Sequence, residues 1–203
     1  MDIAAIADRI QGAAGDSRRF MVAIAGPPGA GKSTLSDALH KEFQGRGESS
    51  IVVPMDGFHF DDIVLTARGH RPRKGAPWTF DCAGFEVLLK RIRALEPDIA
   101  IPVFDRSMEL SRAAADIVDG TSRIILIEGN YLLLNEAPWN RLKPLFDFSI
   151  FLNVPLAELE RRLLARIQSH GFDEAHARSW IAGNDLPNIR QVISNSIKAD
   201  LTL

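Results

Sequence analysis

A chain of 203 residues with 24 Lys and Arg against 26 Asp and Glu is long enough for one sizeable core and too evenly charged to present a dominant basic face to nucleic acid or an acidic membrane. No apolar run approaches the roughly 18–20 residues that span a bilayer, and an N-terminus broken by Asp2, Asp8 and Arg9 reads as neither signal peptide nor anchor. The single cysteine, Cys82, excludes an intramolecular disulfide, and the five histidines lack zinc-like spacing, so the expectation is a cytoplasmic single domain over residues 1–203 with a small-molecule partner.

In chain order, Ile3, Ile6, Ala7 and Ile10 recur at helical spacing and predict a short amphipathic helix packed on the domain. The apolar run at 20–25 predicts a buried strand. Directly after it, Gly26-Pro27-Pro28-Gly29-Ala30-Gly31-Lys32-Ser33 fits G-x-x-x-x-G-K-[ST] and opens a helix expected over 32–44. Glycines keep side chains away so that successive backbone N–H groups can curl around phosphate oxygens, and the helix N-terminus adds donors and partial positive charge. Lys32 is expected to reach the β- and γ-phosphates and Ser33 to ligate Mg²⁺.

The next strand, 51–55, ends in Asp56, with Gly57 expected to let the backbone turn sharply. Residues 57–79 are rich in Gly, Pro and Arg and show little periodicity, which predicts a long functional loop. A helix is expected over 81–95, with Phe85, Leu88, Leu89 and Ile92 on one face, then a short strand pair at 99–105 and 115–120 outside the main sheet. Run 124–128 predicts a buried strand ending in Glu128, a costly place for a charge unless it serves a cation or a metal-bound water. A strand at 148–153 and a helix at 155–168 follow, and DLTL at 200–203 can close the sheet. Continuous apolar runs alternating with helical patterns give an α/β layout with a parallel sheet covered on both faces.

The loop alone does not name a reaction. There is no N-K-x-D string for guanine and no L-S-G-G-Q string of transporter ATPases. What remains resembles the uridine kinase, pantothenate kinase and phosphoribulokinase group of P-loop kinases, including bacterial nucleoside-type and fructose-transport-associated kinases. The resemblance rests on GPPGAGKST at 26–34, MDGFH at 55–59, ARGHRPRKGAPWTFD at 67–81, PVFDRS at 102–107 and IILIEGNYLL at 124–133. It implies a three-layer P-loop fold with a mainly parallel five-stranded sheet in the order 2-3-1-4-5. It also implies an acceptor-side excursion over 57–120, a lid region over 161–186, and ATP with Mg²⁺ as cofactors.

By residue, the resemblance implies a nucleotide site over Gly26 to Ser33 and Thr34, metal coordination by Ser33 and Glu128, and catalysis by Asp56 and Lys32 with the paired arginines Arg162 and Arg166. The hydroxyl acceptor would meet Phe58, His59, Arg71, Arg73, Trp78, Asp81, Phe104, Arg106, Asn130 and Tyr131. Arg161, on another helix face, serves as a control. The cluster Arg68, His70, Arg71, Arg73 and Lys74 leaves open an anionic acceptor or a solvated basic loop. Asn184, Asp185 and Asn188 leave open a place bordering the nucleotide or ordering the lid, and read most simply as the cap of a helix starting near Pro187. Two alternatives stay open: a nucleotide-dependent regulatory protein without kinase activity, and an already phosphorylated acceptor. Acceptor identity and oligomeric state, a homodimer included, are not fixed by these residues.

Overall fold

The computed structural model describes residues 1–203. In chain order it comprises α1 (Ile3–Ala14), β1 (Phe20–Ala25), α2 (Lys32–Gly45), β2 (Ser50–Pro54), α3 (Asp62–Ala67), α4 (Cys82–Arg93), the hairpin β3 (Ile99–Asp105) and β4 (Leu110–Val118), β5 (Ile124–Gly129), β6 (Phe148–Phe151), α5 (Leu156–Ser169), α6 (Glu174–Trp180), α7 (Leu186–Asn195) and β7 (Leu201–Thr202). The sheet runs β2-β5-β1-β6-β7 with every pairing parallel. Counting main-sheet strands alone, that is the order 2-3-1-4-5.

Side chains alternate across a strand, and β1 and β5 use the alternation to build two cores. Met21, Ala23, Ala25, Ile125 and Ile127 join Phe85, Leu89 and Ile92 of α4 and the inner face of the hairpin. Phe20, Val22, Ile24, Ile124 and Leu126 join Ile6 and Ile10 of α1, Leu35 and Leu39 of α2, and Leu159 and Leu163 of α5. Both strands are buried throughout, which is why their sequences run apolar rather than alternate. Each fully buried Ile or Leu contributes about 1.5–3 kcal/mol, so these two strands anchor everything at their C-terminal ends.

Three local expectations change. Residues 57–79 are not one structureless loop: they hold α3 and two 3₁₀ turns, Arg71–Arg73 and Pro77–Thr79. A six-residue helix and single turns are too short to leave a periodic signature. The second hairpin strand starts at Leu110 rather than 115 and is mostly exposed, so it carries no apolar run to read. Its register shifts between Ile101 and Val103, where Pro102 has no N–H to donate to the ladder.

The third change is at the C-terminus. No helix starts afresh near Pro187; α6 passes into α7 through a π-helical turn, Ile181–Asp185, and Asp185 makes no capping hydrogen bond. Pro187 fits there because the first-turn positions of α7 do not need its missing N–H. No helix in the chain is long and apolar enough to cross a membrane.

Candidate active site

At the C-terminal edge of β1 the chain turns through Gly26, Gly29 and Gly31, all at positive φ, before α2 begins at Lys32. Gly29 is also a close approach, since a Cβ there would lie 3.2 Å from Cγ of Leu163 on α5. The Lys32 side chain is buried, and its Nζ donates to the Pro27 carbonyl at 3.1 Å. Burial pushes the Lys32 ammonium below its usual range, while Glu128 and Asp56 hold it up and Arg166 and Arg106 add to the fall. The loop is a compact cationic cradle made of N–H groups, one buried ammonium and a helix N-terminus.

Glu128 ends β5 beside it. Its carboxylate accepts from Ser33 Oγ at 3.2 Å, and burial together with the neighbouring Asp56 pushes its pKa up to about 7, against the pull of Lys32, Ser33 and Arg106. A buried carboxylate raised this far lacks cationic compensation. Ser33 and Glu128 together fit a hard divalent cation that shares its shell with phosphate oxygens. No cluster of three or more His, Cys, Asp or Glu exists to cage a metal by protein groups alone. Gly129 belongs to the same arrangement, because a Cβ there would come within 2.5 Å of Met55 Cβ.

Asp56 lies in the 3₁₀ turn Met55–Phe58 that follows β2. Gly57 is not at positive φ; its requirement is space, since a Cβ would sit 2.3 Å from the Pro102 carbonyl oxygen of the hairpin. Asp56 Oδ2 accepts from Arg106 at 2.6 Å. His59 Nδ1 lies 2.8 Å from the Asp56 carbonyl oxygen, which can only accept, so Nδ1 carries the proton and Nε2 is left as an acceptor. Burial keeps this ring neutral, and it packs against Phe80 and Phe104.

One cleft of about 1250 Å³ connects these groups, lined by the phosphate loop, Asp56, His59, Arg71, Lys74, Phe104, Arg106, Glu128 and Asn130. Five of the residues expected in its acceptor wall lie elsewhere: Arg73, described below with the basic loop, and four more. Asp81 caps α4, accepting from the Gly84 N–H at 2.9 Å. Phe58 packs on Phe85 in the core. Trp78 is half-exposed outside the cleft, under the Arg73 guanidinium. Tyr131 is fully buried and donates its hydroxyl to the Gly75 carbonyl at 2.6 Å, with burial raising its pKa. An aromatic or a carboxylate is visible in a sequence; the direction it takes is not.

The basic loop is committed to neighbours. Arg71 and Lys74 both pair with Asp62, at 2.6 and 2.7 Å, and Lys74 also faces Glu109. Arg73 donates to Asn184 Oδ1 at 3.1 Å and Asn188 Oδ1 at 3.2 Å, and Asn184 donates to the Lys74 carbonyl at 2.8 Å. These asparagines, and Asp185 between them, are buried and line the cleft. The only sequence signal for them was the string NDLPN itself.

On α5, Arg162 is held by Glu158 at 2.7 Å and reaches the carbonyls of Gly29 and Ala30. Arg166, one turn on, lines the cleft. Arg161 pairs with Glu158 and stays outside it; the two arginines pull the Glu158 carboxyl down to about 2.

Residues 21–199 match the model of the Phosphoribulokinase / Uridine kinase family. An Escherichia coli K12 protein named "Uncharacterized protein YggC" is 37% identical over 186 residues, covering 91% of this chain and 77% of that one. A Schizosaccharomyces pombe protein named "Putative uridine kinase C227.14" is 33% identical over 195 residues, covering 92% and 83%. A crystal structure from Silicibacter sp. TM1040, described as a "putative fructose transport system kinase", superposes with TM-score 0.95 at 40% identity and covers 100% of this chain and 99% of that one. YFH7 from Saccharomyces cerevisiae, at 19% identity and TM-score 0.83, shares the fold over 100% and 99% of the two chains. The chain belongs to the phosphoribulokinase/uridine kinase family and is a small-molecule kinase.

Proposed function

We propose that this kinase uses ATP and Mg²⁺ to phosphorylate a hydroxyl of a small uncharged metabolite of the sugar or nucleoside type. The observation that carries the reading is the content of one cleft: a phosphate loop with Lys32 and the Ser33–Glu128 pair, and opposite them Asp56 with a mixed aromatic and polar wall. Phosphoryl transfer passes through a loose transition state and asks mainly for alignment and charge neutralisation. Lys32 and the loop amides hold the β- and γ-phosphates. Ser33 and Glu128 would hold Mg²⁺, which when bound neutralises charge on the phosphate oxygens.

Asp56 receives the hydroxyl through Oδ1, since Arg106 occupies Oδ2. His59 Nε2 and Asn130 orient the rest of the acceptor, and Arg162 with Arg166 closes over the transfer from a lid spanning 161–186. The preference for an uncharged acceptor follows from where the cations are spent: Arg71 and Lys74 on Asp62, Arg106 on Asp56, Arg73 on two asparagines. A cytoplasmic location belongs to the same proposal and rests on the free, buried thiol of Cys82.

The test is a coupled ADP-release assay over paired acceptors: free sugars and nucleosides against their phosphate esters, with pantothenate and glycerate as carboxylates. Turnover with a neutral acceptor supports the reading, and exclusive turnover with anionic ones overturns the acceptor class. Tight ATP binding without any acceptor-stimulated ADP release would favour a regulatory role instead.

A further inference from the structure

The π-helical turn Ile181–Asp185 inserts an extra residue into a run that is otherwise helical from Glu174 to Asn195, a distortion often found at functional sites. It belongs to a segment that turns three polar side chains inward, leaving Asn184, Asp185 and Asn188 exposed by only 4, 6 and 2%. Both asparagines are satisfied by Arg73, and Asn184 also by the Lys74 carbonyl. They fasten the turn to the 71–76 segment. Asp185 between them is different: it lines the cleft, and its Oδ2 is sealed from water without any hydrogen-bond partner. A buried carboxylate in that state destabilises the fold, and no neighbouring contact explains its presence.

One charge facing Asp185 does. Arg166 on α5 is the charged group it feels, and Lys32 feels the same guanidinium from the other side. Arg166, Asp185 and the phosphate loop line the same cleft, and α5 packs against the π-helical turn that carries Asp185. Its backbone carbonyl accepts from Ser169 and His170, while its guanidinium makes no hydrogen bond or ion pair, with Asp185 or any other group, unlike that of Arg162, which is held by Glu158. A guanidinium is a planar fork with five donors, wide enough to grip a phosphate along one edge and a carboxylate along another.

We propose that Asp185 is a positioning residue for phosphoryl transfer: it takes one edge of Arg166 and thereby aims the other edge at the transferring phosphate. Resting on the kinase reading above, this gives the inward polar segment a task. Asn184 and Asn188 fix the segment in place, and Asp185 presents the charge. Asp185 touches neither nucleotide nor acceptor in this role.

The experiment needs no acceptor. Binding of Mg·AMP-PNP and of Mg·ADP with aluminium fluoride, which mimics the transferring phosphoryl, is measured by calorimetry for the wild type, Asp185→Asn, Arg166→Ala and the double variant. Asp185→Asn is expected to hold Mg·AMP-PNP within about threefold and to weaken the aluminium fluoride complex by roughly 10- to 100-fold, the usual loss when a supporting partner is removed. The double variant should be no weaker than Arg166→Ala, because the two act as a unit. The melting temperature of the free Asp185→Asn protein should rise, since an uncompensated buried charge is gone. Unchanged aluminium fluoride affinity in Asp185→Asn, or losses that add in the double variant, overturns the proposal. A lower melting temperature with unchanged affinity overturns it in favour of a structural role. If Asp185→Asn fails to fold, Asp185→Ser is judged on the same two affinities. If Arg166→Ala itself has no effect, the lid-arginine reading falls with it; if Arg166→Ala weakens the mimic and Asp185→Asn does not, only the positioning role falls.

Discussion

The two ends of the cleft are built on opposite plans. At the phosphate end, charges are left for the ligand: Lys32 is buried beside backbone, Glu128 carries too little cationic compensation, and the guanidinium of Arg166 lines the cleft outside any ion pair. At the acceptor end almost every charge is matched inside the protein, with Asp62 between Arg71 and Lys74, and Arg106 on Asp56. The first plan suits a highly charged ligand of fixed shape, the second a neutral one recognised by hydrogen bonds and ring faces. Favourable electrostatics toward phosphate are concentrated at one end of the cleft.

The hardest blow to this contrast would come at Asp56, the one acceptor-end charge given a chemical task. Asp56→Asn should lower turnover by roughly 10²–10⁴ while ATP binding is kept. Unchanged turnover in the coupled assay would mean that both ends only bind. Gly57→Ala comes next. The new Cβ meets the Pro102 carbonyl, which is backbone and cannot swing away, so a loss of about 1–3 kcal/mol is expected in urea unfolding. Its kcat should fall more than its KM for ATP rises, because the hairpin displaces the turn that carries Asp56.

A third test separates Asp185 from its satisfied neighbours by pH. Burial pushes the Asp185 carboxyl up to about 6, with Arg166 the charged group opposing this, against about 3.9 in an unfolded chain. Below about pH 4 both states are protonated and Asp185 costs nothing. As pH rises from about 4 to about 6 the unfolded chain ionises before the native state does, and the stability it had at low pH is lost, by about 2–3 kcal/mol in all. Asp185→Asn lacks this loss, so its stability advantage over the wild type should open across that window; parallel curves would show that Asp185 is already compensated. The smallest expected effect is at Asp62. Its pair with Arg71 is partly exposed and contributes roughly 0–1 kcal/mol, and the buried Lys74 ammonium keeps Glu109 as a second partner. Asp62→Asn should lower the melting temperature only slightly while freeing Arg71, so that KM values for phosphate-ester acceptors fall relative to neutral ones.

The same division governs what the sequence makes legible. Phosphate chemistry forces a local pattern of glycines, Lys32 and Ser33 between a strand and a helix, and burial forces Glu128 onto the end of an apolar run, so both stand out in one dimension. Sheet order does not: it came from the resemblance, because residues that pair across strands are far apart in the chain. The acceptor end is assembled from short turns whose side chains obey local geometry first. Asp81 was read as a ligand group and is a helix cap, and Tyr131 was read as wall and is a buried donor. NDLPN was read as a cap because helical starts favour that composition, whereas a π-turn lets the helix run on and points the same residues inward.

Tyr131 has a consequence of its own. Its hydroxyl and the Trp139 indole N–H, both from the buried core, hold the carbonyls of Gly75 and Pro77. The backbone of this irregular segment is thus gripped from beneath through its main-chain oxygens, whatever side chains it displays. Substitutions at Arg71 leave those two tethers intact, so the side chain the segment turns to the cleft can change while its course through space stays the same.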